Sequence, residues 1–587
     1  MFKLFKNFKK TEWFLVFVSI VFIVGQVWLD LKMPDYMSKI TMIIQMPNGS
    51  VQEIWVQGGY MLACALGSLA FSIVVGFCAS RIASNFSANI RGEVYDKVSS
   101  FSMKEINRFS TASLITRSTN DITQVQMFVV MGLQILIKAP IMAVWAITKI
   151  GSKSYEWSFV TFWAVVILLA MITFVMAFAL PRFKKMQKLT DDVNLVAREN
   201  LTGVRVVRAY NAESFEEKRF ENVNQALTHN QLTAMRFMTV IMPGIDFIMQ
   251  GLTIAIYWVG ANLINNALGN DKFVLFSDML VFSQYAMRVI MSFMMIAMIS
   301  IMLPRALVSA KRLNEVLDTK NKIVDGEIEK SADDVKGEIE FKNVSFKYHK
   351  NGDDVLQGIT FKAHKGETVA FIGATGCGKT TLVTLIPRLF DVTGGEVLVD
   401  GINVKDYKQK ALRNKIGFVP QRAVMFSGTV ASNVAFGDNG KGEISQDEIA
   451  KAVEIAQGKD FVEKMTNKYE ARVAQGGTNV SGGQKQRLAI ARAIARSPEI
   501  YIFDDSFSAL DYKTDRNLRT ALQEATTNAT TLIVSQRIGT IKNANTIIVL
   551  DEGKIVGQGT HEELMNHCDI YKEIALSQLS EEELKNV

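Results

Sequence analysis

The first half of the chain contains six apolar runs that are each long enough to cross a lipid bilayer as a helix. A helix needs about 20 predominantly apolar residues to span roughly 30 Å of hydrocarbon. Hydrophobic residues make up 49% of the 587 residues, and they are concentrated in this half. We therefore predict a helical membrane domain with six spans. The spans lie near residues 13–33, 54–80, 127–148, 158–181, 238–265 and 274–304.

The connections between the runs alternate in length and in charge. The two long connections, near 81–126 and 182–237, contain six and ten Lys or Arg residues, and the short ones contain few. Basic connections stay on the cytoplasmic side of a membrane. We therefore expect an integral protein of the plasma or inner membrane, with the N-terminus and the second half of the chain in the cytoplasm. Apolar residues at three- and four-residue spacing predict that the long connections extend the spans as helices.

The basic N-terminus, MFKLFKNFKK, could also begin a signal peptide. No clear small-residue cleavage site follows the first run, so we interpret that run as a span. The net charge of +7 is then an orientation signal, and we expect no nucleic-acid partner. The four cysteines are too scattered to indicate a disulfide framework or a metal site.

The character of the chain changes after Arg305, where a charged, polar stretch follows the last run. From Glu338 onward, short β-rich runs alternate with helical stretches, which is typical of an α/β domain with a largely parallel sheet. We predict a transmembrane domain at 1–317, a linker at 318–336 and a nucleotide-binding domain at 337–587. The motifs in this last region indicate the nucleotide.

The segment GATGCGKT fits the pattern GxxxxGK[ST] between an apparent strand and an apparent helix. In such a loop, backbone N–H groups surround phosphate oxygens, Lys379 reaches the β- and γ-phosphates, and the Thr380 hydroxyl faces Mg²⁺. We interpret Cys377 as a small residue that the loop tolerates and not as a redox group. The predicted nucleotide-binding residues of the loop are Gly373, Ala374, Thr375, Gly376, Cys377, Gly378, Lys379, Thr380 and Thr381.

Two further motifs follow this loop. Asp504 ends the apolar run EIYIFD, where a carboxylate can hold Mg²⁺. Before it, SGGQ opens an amphipathic helix whose glycines permit close backbone approach and whose N-terminus favours an anion. The motif comprises Ser481, Gly482, Gly483 and Gln484.

SGGQ between GATGCGKT and IYIFDD resembles the signature of ATP-binding cassette (ABC) proteins. The resemblance implies an α/β P-loop cassette with a helical subdomain, and ATP with Mg²⁺ as cofactors. It implies that two cassettes enclose two ATP molecules, each between the Walker motifs of one and the signature of the other. It also places Tyr348 on the adenine ring, Gln421 in the Q-loop near the metal, and Asp511 in the D-loop SALD.

The membrane half resembles ABC exporters as well. SFSMKEINRFSTASLITRSTNDITQV and ENLTGVRVVRAYNAESFEEKRFENVN are similar to the first and second intracellular loops of that class. Six spans followed by one cassette is a half-transporter layout, which implies a second half-transporter as partner. Importers generally keep the two parts on separate chains, so an importer is disfavoured.

Three positions depart from the family pattern. One precedes the signature, where Gln475 stands at a position that is often glutamate in exporters. Asp505 stands where a catalytic glutamate is usual, and Gln536 stands where a histidine is usual. Asp505 is shorter by about one C–C bond, roughly 1.5 Å, and a glutamine cannot carry a proton as histidine does. The sequence thus predicts a degenerate site that binds ATP and hydrolyses it slowly. A heterodimer partner would supply a catalytic glutamate and a switch histidine, and the alternative is a slow homodimer that uses Asp505.

The transport pathway is less clearly marked. Met291, Met295 and Met298 share one face of the sixth span, and Asp246 and Arg288 are ionisable groups inside apolar runs. We expect these five residues to line a cavity for hydrophobic or drug-like compounds. The methionines could instead pack against helices or lipid, and Asp246 could lie at the inner interface. Lipids or peptides are alternative cargoes, and an ATP-regulated sensor or channel subunit is an alternative function.

Overall fold

A computed structural model describes residues 2–6, 8–45, 49–151, 154–268, 271–330, 336–349 and 351–578. The chain forms two compact units. The first comprises Met1–Ser100 and Phe109–Thr319, and the second comprises Phe101–Arg108 and Lys320–Val587. The first is helical throughout its described part, and the second is α/β, so the predicted fold class is confirmed.

The membrane unit is built from very long helices. The first ten helices, α1 to α10 in chain order, are Phe2–Phe5, Lys10–Gln45, Val51–Ser99, Met103–Phe109, Thr111–Thr116, Ile122–Gly151, Tyr155–Ala209, Glu213–Thr239, Ile241–Asn266 and Asp271–Leu317. A π-helical turn, Arg117–Asp121, joins α5 to α6. Six helical segments of the described chain are long and apolar enough to cross a membrane, and each contains one predicted span.

The predicted helical extensions are present. Helix α3 has 49 residues and α7 has 55, far more than a bilayer requires, and each continues without a break into a region predicted as a long connection. The second long connection continues as α8 and α9, which meet at Val240. Pro243 lies in the first turn of α9, where its missing N–H group interrupts no hydrogen bond.

Two aspartates of α2 are paired with groups on other helices of the membrane unit. Asp30 on α2 is 6% exposed, accepts a 2.6 Å hydrogen bond from the Ser68 hydroxyl on α3, and lies 3.5 Å from the Lys138 ammonium on α6. Farther along α2, Asp35 accepts a 2.5 Å hydrogen bond from Tyr285 and pairs with Lys149 at 2.9 Å. The cost of burying each charge is thereby offset by a partner.

The second unit contains a six-stranded sheet, a four-stranded sheet and a two-stranded sheet formed by Gly428–Thr429 and Arg472–Val473. Its strands, β1 to β12, are Ile339–Phe346, Leu356–Ala363, Thr368–Ile372, Gly394–Val399, Ile402–Asn403, Ile416–Val419, Gly428–Thr429, Arg472–Val473, Ile500–Asp504, Thr530–Val534, Thr546–Asp551 and Lys554–Gly559. Its helices, α11 to α20, are Lys379–Leu385, Gln409–Asn414, Val430–Val434, Gln446–Ile455, Lys459–Val462, Gly482–Ala495, Tyr512–Ala525, Ile538–Ile541, His561–His567 and Asp569–Gln578.

The six-stranded sheet has the order β12-β11-β3-β10-β9-β6, and all its pairings are parallel except the one with β12. Successive residues of β3 alternate between its two faces. Val369 and Phe371 pack in the core shared with β1 and β4, whereas Ala370 and Ile372 pack in the core shared with α16 and α17. The sheet is therefore covered on both faces, and its carboxyl edge is where loops can bind a ligand.

Candidate nucleotide-binding site

The phosphate loop leaves β3 at its carboxyl end and leads into α11. Gly373, Gly376 and Gly378 have φ angles of 149°, 89° and 100°, which other residues rarely adopt. A Cβ atom on Gly373 would lie 2.0 Å from the Leu550 carbonyl oxygen, so a side chain is also excluded there by space. The three glycines therefore allow the backbone to adopt this loop without strain.

The Lys379 side chain folds back over the loop. Its ammonium donates hydrogen bonds to the carbonyl oxygens of Gly373 at 2.7 Å and Ala374 at 2.8 Å, and Cys377 Sγ is 3.5 Å away. Lys379 is 7% exposed, and Cys377 is also buried. A positive charge held at this place by the loop is suited to a phosphate oxygen.

The Thr380 hydroxyl donates a 2.9 Å hydrogen bond to Asp504 at the end of β9. Asp504 is 2% exposed, and burial raises the pKa of its carboxyl above the ordinary value. The neighbouring Asp505 raises the pKa further, while the Thr380 hydrogen bond lowers it. A hard cation beside Thr380 and Asp504 would favour the ionised carboxylate, so the residues present fit Mg²⁺.

Asp505 follows β9 in a left-handed conformation, with φ at 45°. Its backbone N–H donates to the Val534 carbonyl at 2.9 Å, which fixes it beside the end of β10. The Gln421 amide, just beyond β6, donates to the Asp505 carboxylate at 3.3 Å. The structure thus brings together Gln421, Asp504 and Asp505 from two neighbouring strands.

Gln536 lies just beyond β10, between the loops that follow β3 and β9 in the sheet. Its side chain is exposed, and its backbone carbonyl oxygen accepts a 2.7 Å hydrogen bond from the Gln578 side-chain amide. The chain has five histidines, and none lies between residues 365 and 560. His561 is committed elsewhere, since its Nδ1 lies 2.6 Å from the Tyr571 hydroxyl.

Tyr348 lies just beyond β1 and is held edge-on against two rings. Its ring centroid lies 4.9 Å from that of Phe346 and 5.3 Å from that of Phe390. Its hydroxyl is 2.9 Å from that of Thr381 on α11. Tyr348 remains 38% exposed, so a flat ring can stack on it next to the phosphate loop.

The signature residues form the N-terminus of α16. The Ser481 hydroxyl accepts a hydrogen bond from the Gln484 N–H at 3.3 Å, and the Gln484 side chain accepts one from the Ser481 N–H at 2.9 Å. This is a capping box. Ser481 and Gly482 are exposed, and among the described residues no hydrogen bond joins the signature to the phosphate loop. Asp511 caps α17 through the Thr514 N–H at 3.0 Å.

The predicted cavity residues belong to the membrane unit. Asp246 is exposed, Arg288 is half-buried, and no ion pair joins the two in the described part of the chain. Met291 and Met298 are exposed, and Met295 is half-buried. Sequence reasoning missed Asp30 and Asp35, although an aspartate near the end of the first apolar run was a visible signal.

A glycine-lined phosphate loop, an acidic strand end and a capped SGGQ helix on one parallel sheet define an ATP-binding cassette, and six spans precede it. The chain belongs to the ABC transporter family. The family "ABC transporter" matches residues 356–508, and the family "ABC transporter transmembrane region" matches residues 16–293. The chain is thus a half-transporter with six membrane helices fused to a cassette, and its family implies ATP binding.

Several relatives match over most of their length. The chain is 38% identical to an uncharacterized ABC transporter ATP-binding protein of Mycobacterium tuberculosis, over 89% of this chain and 87% of that protein. It is 29% identical to the ATP-dependent lipid A-core flippase of Pseudomonas aeruginosa, over 87% of this chain and 83% of that protein. A bacterial Atm1-family ABC exporter with ATP bound has the same fold, with a TM-score of 0.80, 22% identity, and coverage of 97% and 99%.

Proposed function

We propose that this chain is the degenerate-site subunit of a heterodimeric ABC exporter. Its Walker motifs would bind ATP with the partner's signature and hydrolyse it slowly. Its own signature, Ser481 to Gln484, would complete a competent site on the partner. The partner would carry the catalytic glutamate and the switch histidine that this chain lacks.

The observation that carries the proposal is the geometry at the end of β9. The Asp505 backbone N–H is hydrogen-bonded to the Val534 carbonyl, which opposes a forward shift of the chain that would compensate for a side chain shorter than glutamate by about 1.5 Å. The Asp505 carboxylate is also engaged by Gln421. A general base must come within about 2.6–3.2 Å of the proton that it takes, so Asp505 is poorly placed to activate water.

The remaining residues would divide the work of ATP binding. Lys379 and the loop N–H groups would hold the phosphates, and Tyr348 would stack on the adenine. Thr380, Gln421 and Asp504 would hold Mg²⁺, which neutralises phosphate charge when it is bound. Gln536 would donate a hydrogen bond to the terminal phosphate without taking part in proton transfer.

The membrane unit would carry the cargo across an inner or plasma membrane. A linker at 318–336 would join it to the cassette at 337–587, which would lie in the cytoplasm. ATP binding would close two cassettes and turn the cavity outward, and hydrolysis on the partner would reset it. Exposed Met291 and Met298 with Arg288 favour hydrophobic or drug-like cargo, because methionine adapts to varied apolar surfaces.

A second candidate cargo is lipid, because a relative with 29% identity is named a lipid A-core flippase. The two cargoes are distinguished by loading inside-out vesicles that contain the exporter with either a hydrophobic dye or a fluorescent lipid. If only the fluorescent lipid moves, the cargo is lipid and the proposal of a drug-like cargo is wrong. An ATP-regulated sensor or channel subunit would move neither.

The first experiment compares ATP hydrolysis by this chain purified alone and by the chain co-purified with a half-transporter that has a glutamate and a histidine at the positions that correspond to Asp505 and Gln536. The proposal expects near-silence alone and robust turnover together. Lys379→Ala in this chain should weaken ATP binding at its own site in both samples. Ordinary exporter turnover by the chain alone, abolished by Lys379→Ala, would contradict the division of labour.

A further inference from the structure

An apolar groove of about 230 Å³ lies between the start of α2 and the first half of α6. Every residue that lines it is apolar, including Phe8, Trp13, Phe128 and Leu136. Trp13 and Met127 begin the first and third predicted spans, so the groove lies where both enter the membrane. Trp is typical of that interface, and on the predicted orientation the groove opens to the cytoplasmic leaflet.

Three lysines lie close in sequence to the groove residues Phe8 and Trp13: Lys6, Lys9 and Lys10. All three are exposed, and their ammonium groups have no hydrogen bond or ion pair among the residues that the structure describes. Lys3 differs from them, since it pairs with Asp318. The buried Glu12 accepts the Lys9 backbone N–H at 2.8 Å, so it serves the helix start and leaves the lysines without an acidic partner.

Charge and shape together indicate the occupant. Lysines next to a span attract anionic lipid headgroups at the cytoplasmic surface. A soluble anion would not fill the adjoining groove, and an uncharged lipid would not pair with the lysines. Gly132 lines the groove, and a side chain there would not clash at its Cβ, which would make only ordinary contacts, at 3.5 Å from Leu136 and 3.6 Å from Phe128.

We propose that the groove holds one acyl chain of an anionic phospholipid of the cytoplasmic leaflet, and that Lys6, Lys9 and Lys10 bind its phosphate. Phe8 connects the two parts, because it lines the groove and lies between the lysines in the chain. The lipid is a resident of the membrane unit and is not the cargo. Its binding depends on neither ATP nor the proposed division of the nucleotide sites.

The test is native mass spectrometry of the full-length chain released from membranes that contain phosphatidylglycerol and phosphatidylcholine with identical acyl chains. The wild type should retain phosphatidylglycerol preferentially. Lys6→Gln/Lys9→Gln/Lys10→Gln should weaken its retention by about fivefold for each lysine removed. Gly132→Leu, which fills the groove, should lower retention of both lipids.

The matched control is Lys184→Gln/Lys185→Gln/Lys188→Gln, which removes three exposed lysines from the cytoplasmic side of the fourth predicted span. It should leave retention unchanged. Equal retention of the two lipids by the wild type, or an equal loss in the control, would overturn the proposal. So would full displacement by soluble glycerol phosphate, which would remove the need for the groove.

A last measurement of lipid retention is made with ATP added to the chain together with its partner. Retention that is unchanged by turnover supports a resident lipid, while loss of phosphatidylglycerol only during turnover would make it cargo and overturn the resident site. Failure of the proposed function shows in ATP hydrolysis and leaves the ATP-free lipid measurement intact. The two proposals can therefore fail separately.

Discussion

The phosphate loop leads into the N-terminus of α11, and the signature forms the N-terminus of α16. The two helices begin differently. Helix α11 starts at Gly378 in a left-handed conformation and has no side-chain cap. Helix α16 starts at Ser481 with a complete capping box. The first N-terminus has no side chain that satisfies its N–H groups, whereas the capping box of the second satisfies the N–H groups of Ser481 and Gln484.

This difference separates two tasks on one cassette. An uncapped loop is completed by the phosphates that it binds, whereas a capped helix keeps its shape and can be presented to another molecule. Asp505 and Gln536 follow β9 and β10 and lie outside both the phosphate loop and the signature. A chain can thus lose turnover at its own Walker motifs and still contribute a signature to another cassette.

The largest expected effect comes from restoring the missing groups. Asp505→Glu with Gln536→His should raise ATP turnover by the chain alone on the order of a hundredfold, because a displacement of ~1 Å costs about that much. Steady-state hydrolysis of the purified chain checks this. Asp505→Asn with Gln536→His keeps the short side chain and should give no gain. An unchanged rate in the restored variant would show that these positions do not limit turnover.

Lys379→Ala should weaken ATP binding to the chain by roughly ten- to hundredfold, since a hydrogen bond to a charged group contributes about 1.5–3 kcal/mol. Isothermal titration with ATP measures it. The matched variant Lys365→Ala removes an exposed lysine just before β3 and should bind ATP normally. Equal affinity of the two variants would mean that the loop lysine does not reach the phosphates.

Ser481→Ala should remove the cap of α16 and destabilise that helix start by about 1 kcal/mol. ATP binding by the chain alone should be unaffected, while hydrolysis by the chain with its partner should fall. Ser445→Ala is the control, because Ser445 caps α14 through the same capping box with Glu448. The control should lose similar stability and keep hydrolysis, and a parallel loss of hydrolysis would assign the effect to folding.

The smallest effect is expected for Tyr348→Phe, which removes only the hydroxyl near Thr381 and keeps the ring. ATP affinity should fall by no more than about tenfold, as for one hydrogen bond of roughly 1 kcal/mol. Tyr348→Ala, which removes the ring as well, should weaken binding further. Competition binding with ATP and with triphosphate alone distinguishes the two, because triphosphate should not respond to loss of the ring.

The sequence predicted the features that depend on contiguous residues. The phosphate loop and the signature are local patterns whose glycine and serine positions carry their own geometry, and the six spans follow from length and apolarity. The charge pairs of the membrane unit were not predicted. Lys138 was recognisable as a charge in a span, but its pairing with Asp30 depends on how two helices are rotated about their axes, and a single sequence does not contain that rotation.

The π-helical turn at Arg117–Asp121 was also missed, because no residue type marks a π-helix as glycine marks a turn. It is held by long-range contacts: Arg117 pairs with Glu315 at 3.0 Å, and Ser309 donates to Asp121 at 2.8 Å. Such contacts join residues almost 200 positions apart and follow from the packing of α10. They can be seen only once the fold is known.

The sheet order also has an evolutionary consequence. The phosphate-loop residues, 373–381, are adjacent in the chain, while Gln421, Asp505 and Gln536 follow β6, β9 and β10 separately. A single codon change at one strand end can therefore silence hydrolysis without disturbing a core residue or the phosphate loop. Duplicated half-transporter genes have a short mutational path to unequal partners, and each step on that path leaves a folded protein that holds ATP.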